Sequence, residues 1–178
     1  IANANGTITL PDAGSYFVIA AGQVGSTTGG KGSVRLWMRL NDKDVDNSNT
    51  EQTVDGGGFT AVLVCQGVVE AKAGDKVSLA FSASASDQGL GLIATRPANE
   101  PVVPSVIVTA FKVSDAQYAQ LSSTQTQEAA APGKPVTLDS TDAAKGLTNA
   151  NGVVTVAEAG TYFVIAAGQV GAAAADGK

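Results

Sequence analysis

The sequence contains no histidine, and only one cysteine, one methionine and one tryptophan, in 178 residues. Without histidine there can be no Ser-His-Asp or Cys-His arrangement and no metal chemistry built on imidazole. A lone Cys65 rules out an intrachain disulfide. It ends the apolar run Ala61-Val62-Leu63-Val64-Cys65, and so reads as a small buried hydrophobe rather than a reactive thiol. Basic residues are few as well. Eleven Lys and Arg stand against 16 Asp and Glu, for a net charge of −5. They are scattered without a stripe, which disfavours a phosphate-backbone partner such as nucleic acid. No apolar run approaches the roughly 20 residues of a bilayer-spanning helix, so no membrane span is expected. The chain opens on Ile1 without a visible signal peptide, which predicts a mature, processed or excised product.

What the sequence does contain is a repeat. Tyr16-Phe17-Val18-Ile19-Ala20-Ala21-Gly22-Gln23-Val24-Gly25 returns letter for letter at 162–171, an offset of 146 positions. Asn3-Ala4-Asn5-Gly6 returns as Asn149-Ala150-Asn151-Gly152 at the same offset, and Ala13-Gly14 as Ala159-Gly160. A fixed offset without slippage indicates duplication of a folding unit. Residues 147–178 therefore duplicate 1–32. The expected organisation is one domain over 1–114 that lacks its opening strands, with 115–178 supplying the opening strands of a second repeat.

Glycine is plentiful, at 21 residues, and short apolar segments alternate with Gly, Pro and Asp turns. Strands are predicted over 6–10, 15–24, 33–40, 50–54, 59–69, 76–83, 90–95, 105–113 and 136–138. Residues 115–122 fit a short helix or an extended edge equally well, and 129–135 read as a loop. The segments 15–24 and 59–69 are apolar on both faces, as in strands covered twice. In 33–40, Val34, Leu36, Met38 and Leu40 alternate with Arg35, Trp37 and Arg39. The expected core is Phe17, Ile19, Leu36, Met38, Leu63, Leu79, Phe81, Ile93, Ile107 and Phe111. Many short strands and almost no helix predict an all-β, two-sheet antiparallel sandwich.

Several turn and strand motifs follow one another in a familiar order. They are Ala13-Gly14-Ser15-Tyr16-Phe17, Leu40-Asn41-Asp42, Ala73-Gly74-Asp75-Lys76-Val77 and Val106-Ile107-Val108-Thr109-Ala110-Phe111. In this the chain resembles the jelly roll shared by the globular head of the first complement component and the tumour-necrosis-factor-like ligands. The resemblance covers 6–113. It implies a two-sheet jelly roll that trimerises, lacks enzymatic activity and presents surfaces to partners on stalks, spore coats, virions or secreted assemblies. The phase departs from that pattern, because this chain starts after the first strands. The module is therefore expected to be circularly permuted or strand-donating.

Motifs that suggest chemistry do not hold together. Gly25-Ser26-Thr27-Thr28-Gly29-Gly30-Lys31-Gly32 has Gly where a phosphate-binding loop needs a hydroxyl, and a strand follows where a helix is required. Gly89-Leu90-Gly91-Leu92-Ile93-Ala94 matches a dinucleotide fingerprint in letters only, since Pro97, Pro101 and Pro104 forbid the helix it must open. Asn5-Gly6-Thr7 fits a glycosylation acceptor by pattern alone. Asp42, Asp44 and Asp46 alternate as in a calcium loop, but Asn47 replaces the glycine at position six and Thr53 the glutamate at position twelve. A solvated polar loop is the preferred reading, with calcium at these three residues as the alternative and no other cofactor. Trp37 points away from Leu36 and Met38. Together with Tyr162, Phe163 and Ile165 it is a candidate assembly contact.

These observations favour a non-catalytic, self-assembling structural module of an extracellular appendage, filament, cell surface or virion. Its expected partner is itself, as a trimer or a head-to-tail filament. The alternative is a trimeric adhesion domain that binds a glycan or surface receptor through the loops 41–49 and 84–89.

Overall fold

A computed structural model describes residues 1–128 and 133–171. The expected loop residues 129–132, and the second copy of the glycine-rich loop at 172–178, lie outside them. Every regular element among the described residues is a strand: β1 Ala2–Ala4, β2 Thr7–Thr9, β3 Gly14–Ser26, β4 Gly32–Leu40, β5 Lys43–Asp44, β6 Thr50–Val54, β7 Thr60–Ala71, β8 Lys76–Ala83, β9 Leu90–Leu92, β10 Val106–Lys112, β11 Tyr118–Ser122, β12 Ser140–Lys145, β13 Leu147–Ala150 and β14 Val153–Val156. The chain divides into two compact units, Ile1–Ser114 and Asp115–Lys178.

In the first unit two antiparallel sheets pack face to face. One runs β1-β2-β8-β4-β5, with β6 on the far edge of β4. The other runs β10-β3-β7, and β9 continues along the edge of β3 that β10 occupies. β3 is central for a reason written in its composition. Its Tyr16, Val18, Ala20 and Val24 are buried between the sheets, while Phe17, Ile19 and Ala21 half-cover the other side. From the facing strands come Val34, Leu36 and Met38 of β4, and Val54 and Val77. Leu63, Cys65 and Val69 of β7 complete the core.

Buried polar groups are satisfied around Ser48. Its Oγ donates to the Val45 carbonyl at 2.7 Å and accepts the Met38 amide at 3.1 Å. Its carbonyl accepts the Cys65 thiol at 3.2 Å. One serine thus ties the 41–49 loop to a strand of each sheet, which explains how a loop that is otherwise polar holds a buried position.

The expected core needs correction in several places. Leu36, Met38 and Leu63 are buried, but Phe17, Ile19, Leu79 and Ile93 are only half-buried. In β10 the inward set is Val106, Val108 and Ala110, which leaves Ile107 58% and Phe111 47% exposed. Six apolar or small residues in a row carry no alternation, so the register with β3 decides the faces. Phe81 is 54% exposed because β2 pairs with β8 only at Lys76 and Val77. Beyond Val77 that edge of β8 has no ladder partner among the described residues.

The second unit pairs β11 with β12 and β13 with β14. Residues 118–122 are strand, which resolves the helix-or-edge ambiguity. The strand expected at 136–138 is absent, and Ser140–Lys145 pairs instead. Thr137 is held by a side chain, since Gln127 accepts its amide at 2.8 Å and donates to its carbonyl at 2.7 Å. β13 and β14 repeat the register of β1 and β2 and add one pair, Leu147↔Val156. Ala2↔Thr9, Asn3↔Ile8 and Ala4↔Thr7 become Thr148↔Thr155, Asn149↔Val154 and Ala150↔Val153. Both hairpins turn through an Asn-Gly pair with positive φ, 51° and 79° in the first and 52° and 91° in the second. That is the conformation of a two-residue type I′ turn, which suits Asn-Gly.

Candidate assembly surface

The outer face of the four-stranded sheet is built from register. Phe17 of β3 lies between Val68 of β7 and Phe111 of β10; Ile19 lies between Gln66 and Thr109; Ala21 lies between Val64 and Ile107. Val62, opposite Gln23, extends the row and is 63% exposed. The Phe17 and Phe111 rings meet at 5.4 Å with their planes tilted by 52°. Aromatic and branched side chains therefore cover the middle of this face, interrupted by Gln66, Gln23 and Thr109 and bounded by Ser15 and Glu70 at one end and Thr60 at the other. Scattered surface apolars need no explanation, but a contiguous face of this kind is a candidate contact surface.

The opposite face of the sandwich is polar. Arg35, Trp37 and Arg39 of β4 stand across from Ser82, Ala80 and Ser78 of β8. Arg35 forms an ion pair with Glu51 on β6. Trp37 is half-buried rather than a bare apolar patch, and its indole Nε1 donates to Asp44 Oδ1 at 2.8 Å. The same oxygen accepts Arg39 Nε at 3.0 Å, and Arg39 Nη2 also reaches the Asp42 carbonyl.

These bonds bear on the calcium alternative. Asp44 turns its Oδ1 back onto the sheet, while Asp42 and Asp46 are exposed loop residues. Among the described residues no three His, Cys, Asp or Glu side chains gather where they could hold a metal ion. Cys65 sits in the core with its thiol pushed up to about 12 by burial, far from the thiolate form a nucleophile needs. An open depression in the second unit is lined by Gly146, Leu147, Thr148, Thr155 and Ala157, none of which titrates.

The remaining candidate contacts lie in the second unit. Phe163 is 83% exposed and Ile165 is exposed too; neither belongs to a strand. Tyr162 is half-buried. Its hydroxyl lies 2.8 Å from the Glu158 carbonyl and 2.9 Å from Gln117 Oε1. The first of these repeats the bond from the Tyr16 hydroxyl to the Asp12 carbonyl, again at the 146 offset. The hairpin and the tyrosine bond thus recur in both copies, while the glycine before the strand does not: Gly14 has a positive φ of 139° and Gly160 does not. The structure brings none of Tyr162, Phe163 and Ile165 into a sheet, and it places Trp37 on the polar face of the first unit.

The turn motifs quoted for the resemblance meet at one end of the sandwich. Asn41 Nδ2 donates to Asp75 Oδ1 at 2.9 Å, and Asn41 Oδ1 accepts the Lys76 amide at 2.9 Å. Asp75 Oδ2 in turn accepts the Lys72 amide at 2.8 Å. Two short motifs that are 34 residues apart in the chain are thus the two halves of one clasp. Compared with known protein families and with curated proteins, the chain matches none.

Proposed function

We propose that the chain is a non-catalytic, self-assembling structural module of an extracellular appendage, filament or virion surface, built from jelly-roll units that exchange strands. The observation that carries this reading is the apolar outer face of the β10-β3-β7 sheet, with Val62, Ile107 and Phe111 all exposed. A face of that kind is stable in water when another surface covers it. Two further features support the reading. The edge of β8 beyond Val77 has no ladder partner among the described residues, as an edge awaiting a donated strand would have none. Residues 115–146 lie where the opening strands of the next unit are expected. Donation from unit to unit is a head-to-tail operation, which extends into a filament unless its rotation closes a ring.

The test is the mass of the native particle by light scattering. The parent chain should associate at micromolar concentration, and Ile107→Asp combined with Val62→Asp should remove that association. Both side chains are more than half exposed, so the fold of the single unit should survive. A parent chain that stays monomeric at micromolar concentration would sink the proposal.

A further inference from the structure

The polar face of the first unit carries an arrangement that association through the apolar sheet does not use. Trp37 is the single tryptophan of the chain, and β4 directs it outward, away from buried Leu36 and Met38. The core does not account for it. Its indole is nevertheless held in one orientation: Nε1 donates to Asp44 Oδ1 at 2.8 Å, and the same oxygen accepts Arg39 Nε at 3.0 Å. Across the ladder stands Ala80, which has no side-chain atom beyond Cβ, with Ser78 and Ser82 as diagonal neighbours on β8. Opposed side chains on one face start about 4.5–5.5 Å apart and diagonal ones about 7–8 Å, so both hydroxyls are within reach of a ligand resting on the ring. Short residues on β8 beside long ones on β4 make a shelf. Ser78, Ala80 and Ser82 are its floor, and Arg35, Trp37 and Arg39 its wall.

The charges on this shelf choose among ligand classes. Arg35 is paired with Glu51 and Arg39 with Asp44, so the four groups cancel. Their side chains are between 32% and 64% exposed, so a ligand can reach them. An anion would have to draw an arginine from its carboxylate, and a cation a carboxylate from its arginine. An apolar ligand would strip water from all four and replace none of it. A neutral polyhydroxy ring avoids each of these costs. Its axial C–H groups offer the indole a flat apolar face, while its equatorial hydroxyls donate to carboxylates and accept from guanidinium groups at the rim. We infer that the Trp37 shelf is a carbohydrate-binding platform for neutral β-linked pyranoses with equatorial hydroxyls, such as glucose, xylose or N-acetylglucosamine in a polymer. The platform lies on the sheet opposite the apolar face, so it goes beyond the assembly reading and does not depend on it.

With one tryptophan in the chain, indole fluorescence reports on this site alone. The full chain is titrated with cellohexaose, xylohexaose and chitohexaose, and with oligogalacturonate as the charged control. At least one of the three neutral sugars should change Trp37 emission saturably, and oligogalacturonate should not. Trp37→Ala, followed by calorimetry with the sugar that binds, should weaken binding by about tenfold or more, as loss of a tryptophan anchor does. Trp37→Phe keeps a ring and should recover part of that loss. Ala80→Gln raises a longer side chain from the floor of the shelf but keeps Trp37 and Asp44; it should melt like the parent and bind more weakly. The inference is overturned if no neutral sugar changes the emission, or if only oligogalacturonate does. It is also overturned if binding survives Trp37→Ala undiminished, which would place the sugar elsewhere. Val62→Asp combined with Ile107→Asp should leave the titration unchanged, since association is read on particle mass, so either idea can fail while the other stands.

Discussion

Residues 16–25 and 162–171 share every side chain but not a structure. Among the described residues, the first run belongs to a strand paired along both edges, and the second lies in no strand ladder. Intrinsic preference cannot account for the difference, because it is identical in the two places. β-propensity is a measure of how well a residue fits a pleated surface made by others, and among the described residues β7, β9 and β10 line the first run while no strand lines the second. The Asn-Gly hairpins make the opposite case. They carry their own partner two residues away, and they form alike in both copies. Local pairing survives the change of surroundings, and long-range pairing does not.

The largest expected effect comes from removing what makes β3 a strand. Leu36 is fully buried and packs over Gly22, whose added Cβ would lie 3.2 Å from Leu36 Cδ2. Leu36→Ala should cost about 2–5 kcal/mol in a denaturant titration, whereas truncating exposed Val153 to Ala should change stability by less than about 0.5 kcal/mol. Equal losses would mean that the two units do not differ in packing as described. The glycine pair sharpens the comparison at a single position. Gly22→Ala meets Leu92 and Leu36 and should cost about 1–3 kcal/mol, while Gly168→Ala, which meets open space, should be close to neutral.

A smaller effect appears at alkaline pH. Burial raises the Cys65 thiol from 9.0 to about 12, so between those values the unfolded chain loses a proton that the folded chain keeps. Stability should fall as pH rises through that window, by up to about 1.4 kcal/mol per pH unit from this group. Thermal melts of Cys65→Ala across the same range should lack this part of the slope. Smallest is the acid effect at the clasp. The Lys72 amide, then the Asn41 side chain, hold the Asp75 carboxyl below its ordinary value of 3.8. Its contribution is present above that value and is lost as pH falls through the lowered one. Asp75→Asn should flatten the acid limb slightly, and an unchanged limb would mean that the clasp does not bear on stability.

Much of this was legible in the sequence where a residue's surroundings were simple. The alternation in β4 announced Leu36 and Met38 as core, and the double apolarity of 15–24 announced the central strand β3, whereas the equally apolar 59–69 forms β7, which pairs only with β3 among the described residues and is an edge. The outer faces of both strands are half-buried or exposed rather than core. β10 was misread because Val106-Ile107-Val108 offers two equally apolar faces, and only its register with Tyr16 to Gly22 chooses between them. The Asn-Gly turn was there to be read, and attention to Asn5-Gly6-Thr7 as an acceptor pattern obscured it. The bond from Trp37 to Asp44 was out of reach, because it depends on β5 folding back beside Arg39 and Leu40, and no spacing in the chain encodes that.

The letter-for-letter identity of the two runs also has a consequence for isotope labelling. Fragments 16–25 and 162–171 have the same mass, so amide hydrogen exchange must report them as one peptide in two states. Ladder-bonded amides of β3 exchange through large openings, and amides outside any ladder exchange faster. The peptide should therefore show two envelopes of equal weight, one slow and one fast. In Val18→Asp the two runs no longer weigh the same, and each can be followed by itself.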